Sequence, residues 1–150
     1  MSNTAFLLVN DELTSLSIYS PIVKATYQGG STLFVTQDKQ VYVLGNNDLQ
    51  QLGFLDPIIQ TPLLLPIQNV VEIATNEQKT LIVTENNDLF VMGKHAYNAL
   101  GFKSEDIISQ PEPRLVPPDR YANEKILFVA PAFSFSCIVT DRSLFVMGQK

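Results

Sequence analysis

The chain has one cysteine, one histidine and no tryptophan in 150 residues. A lone Cys137 can form no disulfide within the chain, which fits a reducing compartment. No Asn-x-Ser/Thr acceptor occurs, in keeping with that reading. Basic runs are missing too. Ten Lys and Arg stand against 15 Asp and Glu, a formal net charge of -5. Phosphate backbones are bound by clustered Lys and Arg. Here Lys24, Lys94, Lys103 and Arg114 read as isolated, solvated side chains, so no nucleic acid is expected as a partner. There is no long hydrophobic run. The least charged stretch, 54–71, holds Pro57, Pro62, Pro66 and Asp56, so no membrane helix is expected. The N-terminal Phe6-Leu7-Leu8-Val9 follows no basic residue and is too short for a signal peptide. Together these features predict an intracellular protein, cytoplasmic or nuclear.

Reactive constellations are equally sparse. His95 has no visible second ligand or base, which a metal site or a triad would need. Cys137 lies in an apolar segment predicted to be a buried strand, where cysteine acts as a small hydrophobe. The carboxylates Asp11-Glu12, Asp48, Asp56 and Glu105-Asp106 are scattered and read as a solvated rim. Asn86-Asn87-Asp88 lacks the spacing of a calcium loop, and no Gly-rich phosphate loop is present. No catalytic residue, no cofactor and no metal is expected.

What the chain does have is repetition. Val41-Tyr42-Val43-Leu44-Gly45 recurs as Leu89-Phe90-Val91-Met92-Gly93 and as Leu144-Phe145-Val146-Met147-Gly148. The closing glycines are 48 and then 55 residues apart. Each copy follows an apolar run ending in Thr: Leu33-Phe34-Val35-Thr36, Leu81-Ile82-Val83-Thr84 and Cys137-Ile138-Val139-Thr140. A further run precedes that one, apolar at 23 and 25, 71 and 73, and 127 and 129. Short segments rich in Val, Ile, Thr, Tyr and Phe, joined by turns of Asp, Asn and Ser, predict hairpins. In two copies the chain continues past Gly45 and Gly93 into a loop that ends in Leu52-Gly53 and Leu100-Gly101. The leucine should plug the loop into the core. Proline-rich returns, around Pro62 and around Pro111 and Pro113, belong on sheet edges. The expected fold is all-β, a partial β-propeller of about three antiparallel blades in one domain. The units span approximately 22–69, 70–125 and 126–150, and residues 1–21 form an N-terminal strand or extension. Thr36, Gly45, Leu52, Gly53, Thr84, Gly93, Leu100, Gly101, Thr140 and Gly148 are the structural repeat positions.

The order from Thr36 through Val41-Tyr42, Gly45, Asn47 and Gln51-Leu52-Gly53 resembles the regulator of chromosome condensation repeat. The likeness extends over about residues 22–150. Several positions depart from the family pattern. Leu44, Met92 and Met147 stand where the family usually has Trp. Gln28 and Ser31, Asn76 and Lys79, and Ala132 and Phe135 stand where it usually has Gly and, three positions later, His. Gln50 and Asn98 replace a further Gly. The resemblance implies a propeller, usually of seven blades, so about three blades leave both ends open. The chain is then a segment of a longer propeller, or assembles with copies of itself, or is covered by a different protein. In the second case Phe6-Leu7-Leu8-Val9 of one copy would complete the last blade of the next. The expected function is a non-catalytic protein–protein interaction or scaffold module. The alternatives are exchange of guanine nucleotide on a small GTPase and a structural role in a larger assembly. The loops between paired strands are the expected partner-binding positions: Asn46, Asn47, Asp48, Lys94, His95 and Tyr97.

Overall fold

The computed structural model describes residues 3–9, 12–18, 20–95, 98–102 and 109–148, and of the first two segments the backbone alone. Tyr97, Lys103 and Glu105-Asp106 lie outside the described residues. Strands β1 (Asn3–Val9) and β2 (Glu12–Ile18) form an antiparallel hairpin of their own. The first blade then pairs β3 (Ile22–Gln28), β4 (Ser31–Thr36), β5 (Val41–Asn46) and β6 (Ile58–Leu64) in that order. The second repeats it with β7 (Val70–Thr75), β8 (Lys79–Thr84), β9 (Leu89–Lys94) and β10 (Ser109–Val116). The third has β11 (Ile126–Pro131), β12 (Phe135–Thr140) and β13 (Leu144–Gly148). The Pro62 and the Pro111/Pro113 segments are the edge strands β6 and β10, where a missing N–H costs no ladder bond.

The blades match in detail. The first strand of each carries a register shift at the same place, between Ile22 and Lys24, Val70 and Glu72, and Ile126 and Phe128. A bulge turns a side chain out of its face, and the residue at that point is exposed in all three: Val23, Val71 and Leu127. These are positions where strict alternation predicts burial, so the expectation fails there for a local reason. The strand-ending threonines do one job. Backbone N–H groups of Gln40, Asp88 and Ser143 donate to Thr36, Thr84 and Thr140 Oγ1 at 3.3, 3.3 and 2.8 Å, closing the following turn. The strand-ending glycines share another constraint. Gly45, Gly93 and Gly148 all have positive φ, and a Cβ there would strike the carbonyl of Gly30, Gln78 or Ser134.

Burial is organised between blades. Leu33, Val35, Val41 and Val43 of the first blade meet Ile73, Ile82 and Met92 of the second in one core. Leu81, Val83, Leu89 and Val91 meet Val129, Ile138 and Met147 of the third in the next. A fully buried aliphatic side chain contributes roughly 1.5–3 kcal/mol, so each seam is a major source of stability. The third blade has no such cover. Leu144 and Val146, equivalent to Val41 and Val43 with no exposure, are 64% and 60% exposed. Cys137, equivalent to the buried Leu33 and Leu81, is only half-buried for the same reason.

Truncating Ile82 or Ile138 to alanine should lower unfolding free energy by about 2–5 kcal/mol. Truncating Val146 should change that of the single chain, at a dilution where no assembly is detected, by less than about 0.5 kcal/mol. Urea denaturation followed by circular dichroism measures both, and equal costs would show that the exposed face is buried in solution.

Candidate functional site

The loop after β5 shows what these connections do. Its backbone passes through the interior and needs polar partners there. Asn47, 1% exposed, supplies them: its Nδ2 donates to the carbonyls of Phe54 and Asp56, each at 2.7 Å, and its Oδ1 accepts from the Leu52 N–H at 2.8 Å. Gln51 is equally buried and donates to Ser31 Oγ at 2.9 Å and to the Asn46 carbonyl at 3.1 Å. Asn46 Oδ1 accepts from the Asp48 N–H at 2.9 Å, forming a local turn. Asn47 is therefore an internal brace, which overturns its reading as a partner contact. Asp48 remains exposed and Asn46 half-buried.

Leu52 and Leu100 are fully buried, and the glycine after each abuts the next blade. A Cβ on Gly53 would lie 2.8 Å from Met92 Sδ, and one on Gly101 would strike Met147 Sδ. Gln50 and Asn98 both hold positive φ, near 60°, where the family resemblance expects Gly. Amide side chains tolerate this geometry at a modest local cost.

His95 occupies in the second loop the place that Asn47 has in the first. It is 3% exposed, so its reading as a partner contact is overturned too. Neither ring nitrogen finds a hydrogen-bond partner among the described residues. Instead the ring stacks on Phe102, centroids 4.0 Å apart and planes within 13°. Burial, first of all, holds its pKa below the ordinary imidazole value. The Phe102 main chain pulls the other way without a bond of normal geometry, and the Arg114 and Lys79 charges lower it further. Arg114 lies over the Phe102 ring, 3.8 Å from its centroid.

Lys79 was not among the candidate positions. It opens β8, is 1% exposed, and sends its ammonium to the carbonyls of Ala132 and Phe133 in the third blade, at 2.6 and 3.0 Å. Desolvation and, second, Lys94 pull its pKa down to about 8. Lys94 itself is half-buried, with its ammonium 5.8 Å from the Phe133 ring centroid. Reading Lys94 and Arg114 as isolated cations is thus corrected, since the fold gathers both beside Lys79 and His95, although Arg114 stays exposed. Two sequence signals mark Lys79: it stands where the resembled repeat has His, and it lies two residues before the fully buried Leu81 on the same side of the strand.

Solved structures with the same arrangement include human WBSCR16, with TM-score 0.79, 21% identity, and coverage of 93% of this chain and 36% of that one. Kap60 bound to yeast RCC1 (Prp20) matches at TM-score 0.77 and 20% identity, over 93% and 32% of the two chains. Prp20p from Saccharomyces cerevisiae, described with its binding to Gsp1p and histones, matches at 0.77 and 20%, over 93% and 34%. The fold is that of an RCC1-type propeller segment. No family model and no curated protein matches the sequence. The chain spans about a third of the length of these RCC1-type structures. Within the RCC1-type blade, the methionines at the usual Trp position fill the seam with flexible thioethers.

The His95→Asn variant should recover part of the Asn47-type brace and gain about 1 kcal/mol per bond regained. The folded pKa of His95 is lowered, so the unfolded chain binds the proton more readily. Its contribution is present above pH 6.5 and is lost as pH falls below that value. Thermal melts of wild type and variant between pH 7.5 and about pH 5 test both points, and the variant should show the shallower acid loss.

Proposed function

We propose that this chain is a non-catalytic protein-interaction module of the RCC1-repeat type that acts in an intracellular compartment. The observation that carries this is the uncovered face of the third blade. Phe135, Leu144 and Val146 are 41%, 64% and 60% exposed, whereas Val41 with Val43 and Leu89 with Val91, the counterparts of Leu144 with Val146, lie in the seams between blades. A contiguous apolar face of this kind marks a surface that a further blade or another protein covers. The edge of β13 adds unpaired backbone groups that favour strand addition. Copies of this chain are the first candidate occupant. Among the described residues strand β1 pairs with β2 alone and so offers a second edge to the β13 of another copy.

Two further readings rest on the same fold. Prp20p is described with Gsp1p, and guanine-nucleotide exchange on a small GTPase is the alternative for this chain. No exchange-specific residue can be carried onto a position here, which favours binding without exchange. A structural subunit of a larger assembly would use the same open face.

Light scattering on the pure protein should give a native mass above that of the 16.7 kDa chain, and Leu144→Asp with Val146→Asp should lower it. A single-chain mass with no binding of an apolar dye would sink the proposal. Nucleotide-release assays with candidate GTPases should show no acceleration; a clear acceleration would shift the reading to exchange.

A further inference from the structure

The chain is acidic overall, yet three of its cations and its one histidine gather at a single rim of the second and third blades. Lys79 opens β8, Lys94 closes β9, and Arg114 lies on β10. Lys79 pairs in register with Gly93, and Arg114 with Val91, so the strands bring them together. Lys79 and Lys94 both reach Phe133, one to its carbonyl and one to its ring. Arg114 and His95 both lie against Phe102.

No carboxylate answers this charge among the described residues. The two ion pairs there, Lys24–Glu72 and Lys39–Glu85, lie at the seam of the first two blades. Glu77 and Glu112, the described acids nearest in sequence, form no ion pair. Burial first, and then Lys94, lowers the Lys79 pKa; burial first, and then Arg114 and Lys79, lowers that of His95, so these cations lie within reach of one another. A cationic cluster that no carboxylate pairs among the described residues is complementary to an acidic ligand. Beside it Phe133, 66% exposed, offers an aromatic surface.

We infer that this rim binds an acidic peptide segment of a protein partner, its carboxylates meeting Lys94 and Arg114 and an apolar side chain lying on Phe133. The inference rests on the reading of the chain as an interaction module and names the chemistry of the partner. Lys79, anchored by two carbonyls, holds the third-blade loop in place beneath the ligand and contributes charge without contact.

Fluorescence anisotropy of the full chain with a labelled Glu-rich octapeptide carrying one central Phe tests this, beside a twin with Gln for every Glu. The Glu peptide should bind, weakening about tenfold between about 50 and about 500 mM salt, and the Gln twin should bind at least about tenfold more weakly. Lys94→Gln with Arg114→Gln should cost about tenfold or more in affinity. Lys125→Gln, which removes one positive charge beside Thr84 and Asn87 at the other rim, should cost nothing. If the double Gln variant melts lower, Lys94→Arg with Arg114→Lys decides, since it keeps the charges and should keep most of the binding. Equal binding of the twin peptides, or unchanged binding by a folded double variant, would overturn the inference. So would millimolar inorganic phosphate binding where the peptide does not, which would assign the rim to a free oxyanion. A peptide that fails to bind while light scattering still shows assembly removes this inference and leaves the module reading standing.

Discussion

Everything in this structure depends on the fact that each blade is apolar on both faces. In the second blade Leu81, Val83, Leu89 and Val91 are buried against the third, and Ile73, Ile82 and Met92 against the first. A sheet of this kind cannot present a solvated side. It is stable only between neighbours, which makes each seam a requirement rather than a bonus. The third blade meets that requirement on one side only, since Leu144 and Val146 are exposed. On the first blade Phe34 and Leu44 are buried at the positions where Ile82 and Met92 face the preceding blade, while Ala25 is exposed where Ile73 and Val129 are buried. The exposed face of the third blade is the same surface that forms the internal seams.

Hydrogen bonds at the seams set register without supplying most of the energy. Val70 N–H donates to the Lys39 carbonyl, and Ile126 N–H donates to Asn87 Oδ1, so equivalent strands are pinned by equivalent turns through different atoms. Tyr121 Oη donates to the Asn87 carbonyl beside it. Exposed ion pairs such as Lys24–Glu72 contribute about 1 kcal/mol at most. The apolar faces therefore decide that blades stack, and the polar turns decide how far along they slide.

Much of this was legible in the sequence, because duplication repeats a signal that would be weak once. The Thr-ended and Gly-ended strings lie on adjacent strands of every blade, and Gly45 and Gly93 sit where backbone crowding excludes a side chain. Alternation misled at Val23, Val71 and Leu127, since a bulge adds a residue without changing composition. Polarity misled at Asn47 and His95. An Asn in a loop looks like a surface residue, but this loop runs through the interior and uses the amide to satisfy its own backbone. Cys137 read as buried by its strand, while its exposure depends on a neighbour that no local pattern can report.

The rim of basic groups was illegible for a different reason. Lys79, Lys94 and Arg114 are far enough apart in sequence to look like scattered charge, and only the β8–β9–β10 order makes them neighbours. Burying an ammonium is costly unless it is well bonded, and Lys79 meets that cost with two carbonyls of the next blade. A site where the usual pattern has His thus holds a fixed positive charge under a loop. The same substitution that welds the second and third blades also leaves their rim with cations that no carboxylate among the described residues pairs. An acidic partner would relieve that repulsion directly, which gives the departures from the repeat pattern a physical consequence beyond drift.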